Sequence, residues 1–122
     1  MATERPLVVL LVEDDDAIRE ISAMILEDAG HEVHAMPNGD AAERWLDART
    51  PALFPDVLFT DVRMPGRVKG QDLALRHHVD MHVLVTSGEM RDQHPWLVEG
   101  MGYLPKPYDR KTLLAAVEGV AA

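Results

Sequence analysis

The chain has 122 residues, 47% of them apolar, which is enough to close one hydrophobic core and too few for a second domain of ordinary size. A formal charge of −9, with Lys and Arg scattered, argues against a nucleic-acid backbone or an anionic membrane surface as partner, because such binding needs clustered positive charge. The absence of cysteine excludes disulfides, thiolate metal sites and thiol nucleophiles. Met1 to Pro6 lacks the apolar stretch of a signal peptide and Leu7 to Val12 is too short to span a bilayer, so a cytoplasmic location is expected.

Leu7 to Val12 is a continuous apolar run rich in branched residues, which suits a strand covered on both faces and hence a parallel sheet. After the acidic cluster Glu13 to Asp16, residues Ile18, Ile21, Ala23, Met24, Ile25 and Leu26 fall at helical spacings, with Asp16 expected as N-cap and Gly30 as stop. Glu32 to Met36 reads as a short second strand. Asn38-Gly39-Asp40 then opens a helix with Ala41, Ala42, Trp45 and Leu46 on its apolar face, and Pro51 and Pro55 end that unit. Val57 to Thr60 is the third strand and leads directly into Asp61, after which Met64-Pro65-Gly66 breaks the chain.

Residues 71–78 are predicted helical, and His82 to Val85 forms a fourth strand ending at Thr86-Ser87-Gly88. Between Glu89 and Gly102 a stunted fourth helix is expected, since Pro95 fits only a first turn and Gly100 and Gly102 close it soon after. Tyr103-Leu104 is a short fifth strand. Asp109 caps a last helix through Leu113, Leu114 and Val117. Strand and helix thus alternate five times, which predicts a doubly wound α/β parallel sheet flanked by five helices. Pro105 lacks an N–H and favours an edge position for the fifth strand.

In open sheets of this class the crevice lies beyond the carboxyl ends of the strands. Glu13 and Asp14 follow strand one, Asp61 ends strand three, Thr86 ends strand four and Lys106 follows strand five, so all exit on one edge and can form one pocket. Each like-charged carboxylate pair at about 4 Å costs roughly 4 kcal/mol at an effective dielectric near 20, and a counter-charge is required. All-oxygen ligands select a hard cation, and the small protein donor set fits Mg²⁺. With the cation and Lys106 neutralising an incoming phosphoryl group, Asp61 can act as nucleophile and Thr86 can donate to a phosphoryl oxygen. Such a pocket receives phosphate.

At this point the chain resembles the receiver domains of bacterial two-component response regulators. The resemblance covers nearly the whole chain, 1–122, as one such domain. It is carried by Leu11-Val12-Glu13-Asp14-Asp15, Thr60-Asp61-Val62-Arg63-Met64-Pro65-Gly66, Val85-Thr86-Ser87-Gly88 and Gly102-Tyr103-Leu104-Pro105-Lys106-Pro107-Tyr108. The wording of these motifs resembles that of receivers attached to hybrid histidine kinases and of their small stand-alone relatives. The resemblance implies a flavodoxin-like sheet in the order 2-1-3-4-5 and phosphorylation of Asp61 from a phosphohistidine of a histidine kinase or histidine phosphotransfer protein. It implies Mg²⁺ held by Glu13, Asp14, Asp61 and the backbone carbonyl of Arg63, and a cis Lys106-Pro107 bond. Thr86 and Tyr103 would move together as the switch, and the output would go to a downstream protein target, with a homodimer among the candidate partners. Catalysis would be confined to the domain's own Mg²⁺-dependent phosphorylation and dephosphorylation.

Two rival readings are an aspartyl-phosphate phosphatase or phosphotransferase and a receiver-like interaction module that is never phosphorylated. The first commonly needs a second Asp two residues after the nucleophile, where this chain has Arg63; the second is opposed by the intact acceptor, metal and lysine positions. Three departures from the common pattern stand out. Arg63 places a cation beside the pocket, the loop from Pro65 to Gly70 is one residue longer with Arg67 and Lys69 near the entrance, and the segment from Glu89 to Glu99 is short.

Overall fold

The structure is a computed structural model that describes residues 6–122; the reading of Met1 to Arg5 lies outside the described residues. Five strands, β1 (Val8–Val12), β2 (Glu32–Met36), β3 (Val57–Asp61), β4 (His82–Ser87) and β5 (Gly102–Pro105), form one sheet in the order β2-β1-β3-β4-β5. Every pairing is parallel. The helices are α1 (Asp16–Asp28), α2 (Gly39–Asp47), α3 (Gly70–His77) and α4 (Arg110–Val120).

The unbroken apolar character of β1 follows from its position, since alternate side chains serve opposite faces of the sheet. Val9 and Leu11 join Val57, Phe59 and Leu84 in a core closed by Leu26 of α1 and by Leu113 and Val117 of α4. Leu10 and Val12 join Leu58, Val83 and Val85 in a second core closed by Ala42 and Leu46 of α2 and by Leu73 and Ala74 of α3. The β5 edge position expected from Pro105 holds.

Four α-helices stand among the described residues, not five. In place of the expected short fourth helix the chain makes one 3-10 turn, Arg91–Gln93. The intervening residues still cover the sheet, because Trp96, Leu97, Val98 and Met101 pack on the core that contains α2 and α3. Pro95 removes a donor, and Gly100 adopts φ 97°, so the segment meets the burial requirement without a helical ladder.

Helix α1 also departs in detail. Asp15, not Asp16, is its N-cap, its carboxylate accepting from Ile18 N–H at 2.9 Å, while Asp16 occupies the first turn and pairs with Arg19. Leu26 and Ser22 are its buried residues, whereas Ile21 and Met24 face solvent. The other caps lie where expected: Asn38 accepts from Ala41 N–H, Asp109 accepts from Thr112 N–H, and Gly30 takes φ 98° after α1.

Candidate functional site

The order β2-β1-β3 makes the carboxyl ends of β1 and β3 the point where the winding reverses and a crevice opens. Glu13 and Asp14 leave β1 there, Asp61 ends β3, and Thr86 is its register partner on β4. Lys106 arrives from the far edge, its amide fixed by donation to the Ser87 carbonyl at 2.8 Å and followed by a cis peptide bond to Pro107. The sheet thus gathers Glu13, Asp14, Asp61, Thr86 and Lys106 around one opening.

Oxygens of Glu13, Asp14 and Asp61 lie within 4.8 Å of one another. Glu13 and Asp61 are buried, with relative exposures of 1% and 7%, and Asp14 is exposed. Lys106 Nζ donates to Asp61 Oδ2 at 2.9 Å and lies 2.7 Å from Glu13 Oε1. The second contact is an ion pair without hydrogen-bond alignment, which leaves Glu13 Oε1 a buried oxygen with no directed donor among the described residues. Glu13 Oε2 accepts from the Asp15 amide. Burial drives the Glu13 carboxyl above the ordinary glutamate range, against the opposing pull of Lys106 and the Asp15 amide. Burial works against the Lys106 charge, but its contacts with Glu13 and Asp61 outweigh that and raise its pKa.

A hard-oxygen donor set with one lysine against three carboxylates, and an undirected buried oxygen among them, fits a small divalent cation. The loop that would lend the Arg63 carbonyl is firmly held. Asp40 of α2 accepts from the Arg67 and Val68 amides, and Lys69 Nζ donates to the Met64 carbonyl at 2.7 Å. Lys69, read from sequence as charge at the pocket entrance, is therefore engaged in holding its own loop.

Thr86 does not face the carboxylates through its hydroxyl, which donates to the Leu104 carbonyl at 2.7 Å. The Tyr103 hydroxyl donates to the Glu89 carbonyl and, at 3.4 Å, to that of Ser87. Arg63 turns outward and forms a two-pronged pair with Glu89. Sequence reasoning missed Glu89 and Asp40 as site residues. Glu89 follows the β4 end as Asp14 follows that of β1, so the same strand-end logic could have found it; Asp40 lies on α2 and gave no such signal.

Comparison with known proteins agrees with this fold. The family model for the response regulator receiver domain matches residues 9–118. The transcriptional regulatory protein FixJ of Azorhizobium caulinodans is 36% identical over 121 residues, covering 91% of this chain and 53% of that protein. The chain thus spans about half the length of that relative. Among solved structures, the receiver domain of the hybrid histidine kinase CckA is 31% identical with a TM-score of 0.77, covering 94% of this chain and 99% of the other. The chemotaxis protein CheY4 of Vibrio cholerae is 29% identical with a TM-score of 0.78, covering 95% and 99%. The similarity to hybrid-kinase receivers and to small stand-alone receivers read from the motifs is thereby met, and the chain belongs to the response regulator receiver domain family.

Proposed function

We propose that this chain, as one domain over 1–122, is a phosphoacceptor switch in which Asp61 takes a phosphoryl group from the phosphohistidine of a histidine kinase or histidine phosphotransfer protein. The observation that carries the reading is the placement of Asp61 at the end of β3, bonded to Lys106 Nζ at 2.9 Å and grouped with Glu13 and Asp14 within 4.8 Å. An oxygen of Asp61 attacks phosphorus while the N–P bond of the donor breaks, the electron pair stays on the imidazole, and an acyl phosphate forms. Lys106 follows the transferred oxygens and neutralises part of their charge. Thr86 exchanges the Leu104 carbonyl for a phosphoryl oxygen by rotation about its side-chain bond, and Tyr103 responds to the space this opens.

Glu13, Asp14, Asp61 and the Arg63 carbonyl would hold Mg²⁺, whose charge would offset that of the phosphoryl oxygens and of the three acids. The reaction is the domain's own modification, with no other substrate turned over. The donor approaches over an apolar groove of about 410 Å³ beside Lys106, lined by Ile18, Ile21, Ile25, Pro107 and Tyr108. Output passes to a protein partner, in keeping with the net charge of −9, which disfavours direct nucleic-acid contact by this chain. No helix among the described residues is long and apolar enough to cross a membrane; we propose a cytoplasmic site of action, where a kinase of this class would supply the phosphoryl group.

Incubation with Mg²⁺ and acetyl phosphate, read by intact mass, tests the proposal. One acid-stable, base-labile phosphoryl group on the native chain and none on Asp61→Asn is the expected result. No modification, or equal modification of the two proteins, overturns it.

A further inference from the structure

Asp61 and Thr86 are register partners at the ends of β3 and β4. Two residues past Asp61, Arg63 reaches across to Glu89, three residues past Thr86, with Nε–Oε1 2.9 Å and Nη2–Oε2 3.1 Å. The pair therefore links the two loops that frame the acceptor. Arg63 is 75% exposed and Glu89 30%, so the guanidinium can change partner without a desolvation cost. Hydrogen bonding to Glu89 raises the arginine pKa, and hydrogen bonding to Arg63 lowers that of Glu89.

Glu89 is also tied to the rest of the β4–β5 side. Its Oε1 lies 3.5 Å from Nε2 of the buried His94, its amide donates to Ser87 Oγ at 3.0 Å, and its carbonyl accepts from the Tyr103 hydroxyl. Whatever moves the Glu89 carboxylate thus acts on the backbone to which Tyr103 is anchored.

We propose that Arg63 is a phosphoryl-binding residue held away from the acceptor by Glu89, and that phosphorylation of Asp61 transfers its guanidinium from the Glu89 carboxylate to the phosphoryl oxygens. This rests on Asp61 being the acceptor. An arginine fork fits phosphate and carboxylate by the same two-pronged geometry and stays charged at any working pH. A phosphoryl group brings a charge of about −1.5 to −2, which outbids a single carboxylate for the arginine and repels Glu89. Two consequences follow. The guanidinium, seated over the phosphoryl group, obstructs the attacking water and lengthens the life of the acyl phosphate. Glu89, left without its cation, relaxes the 88–90 backbone and with it the anchor of Tyr103.

The experiment uses the full chain, Arg63→Ala, Arg63→Lys and Glu89→Gln, each loaded with Mg²⁺ and acetyl phosphate. Intact mass gives the extent of modification and its decay after desalting into Mg²⁺ buffer, and NMR follows the Arg63 Nε–H and the 88–90 and Tyr103 amides. Arg63→Ala retains the backbone carbonyl at that position, and both side chains are exposed enough for the variants to fold. We expect Arg63→Ala to shorten the phosphoryl lifetime at least threefold and Arg63→Lys to recover part of it. Glu89→Gln should shift the Arg63 Nε–H resonance in the unmodified protein and leave it unchanged in the phosphorylated one. Native protein that is modified but decays at the rate of Arg63→Ala, or an Arg63 Nε–H equally sensitive to Glu89→Gln in both states, overturns the proposal. Absence of any modification on the native chain overturns the acceptor assignment and this inference together.

Discussion

Lys106 stands between two carboxylates that have little other compensation, since Glu13 and Asp61 are 1% and 7% exposed. Replacing it by Met should leave both acids buried without their cation. The expected cost is about 2 kcal/mol, below the roughly 3–5 kcal/mol of a fully buried pair because the lysine side chain keeps 20% exposure. Asp61→Asn in the Lys106→Met background should recover part of that loss, and chemical denaturation of the four proteins of the cycle measures it; a double variant no more stable than Lys106→Met would refute the pairing. The sign with pH is definite. The Lys106 pKa is raised by folding, so its contribution is complete below the ordinary lysine range and is lost as pH rises through the higher folded value. Glu13, Asp14, Asp61 and Lys106 were legible in sequence because each lies at or just past a strand end, and a parallel sheet sends all such ends to one edge. The direction of the Thr86 hydroxyl was not, because its bond to the Leu104 carbonyl depends on a local geometry that residue type does not encode. Glu89 stands two residues past the end of β4 and carried the same strand-end signal as Asp14, but its pairing with Arg63 joins two loops distant in sequence and is visible only in the fold.

At the scale of elements, the start of α3 is pressed against the acceptor itself. A methyl group on Gly70 would meet the Asp61 carbonyl and the Val62 Cα, all of it backbone that cannot yield by a rotamer change. Gly70→Ala should therefore cost about 3 kcal/mol, the upper part of the range for overpacking, and should reduce acetyl phosphate labelling by displacing β3. Gly119, near the end of α4, has open space where its Cβ would stand, so Gly119→Ala should raise stability by about 0.5–1 kcal/mol and leave labelling unchanged. Thermal unfolding of the two variants checks both signs, and equal effects would mean that the close approach at Gly70 is not felt. The strands and the four helices that formed were readable from their apolar spacing, reinforced by caps at Asn38 and Asp109. The expected fourth helix failed at Pro95 and Gly100. There the need to cover the sheet is met by Trp96, Leu97 and Val98 from an irregular chain, and periodicity carries no record of such a solution. In α1, Ile21 and Met24 keep helical spacing with the apolar set yet point into solvent, so spacing alone does not say which apolar residues are buried.

The whole molecule places two unlike walls beside one reactive edge. On the β4–β5 side, Glu89, His94 and Tyr103 connect the pocket to a segment without a helix. On the other side α1 exposes Ile21 at 57%, and with Ile18, Ile25 and Pro107 it lines an apolar groove that ends at Lys106. An apolar groove adjoining a charged pocket suits a protein donor, whose hydrophobic contacts would position a phosphohistidine over Asp61. A small donor has no use for that wall, so the two routes of phosphorylation should respond differently to its loss. Ile21→Glu leaves the acids, Lys106 and the sheet untouched, and its side chain projects into water, so stability and acetyl phosphate labelling should stay within about twofold of native. Transfer from a phosphorylated histidine kinase or histidine phosphotransfer protein, identified by profiling those of the source organism, should fall roughly tenfold or more, the loss of about 1.4 kcal/mol expected when one anchor of an interface is replaced by a charge. Equal transfer to native and Ile21→Glu proteins would place the donor elsewhere on the rim, whereas a parallel loss with acetyl phosphate would show that Ile21 acts on the pocket and not on the partner.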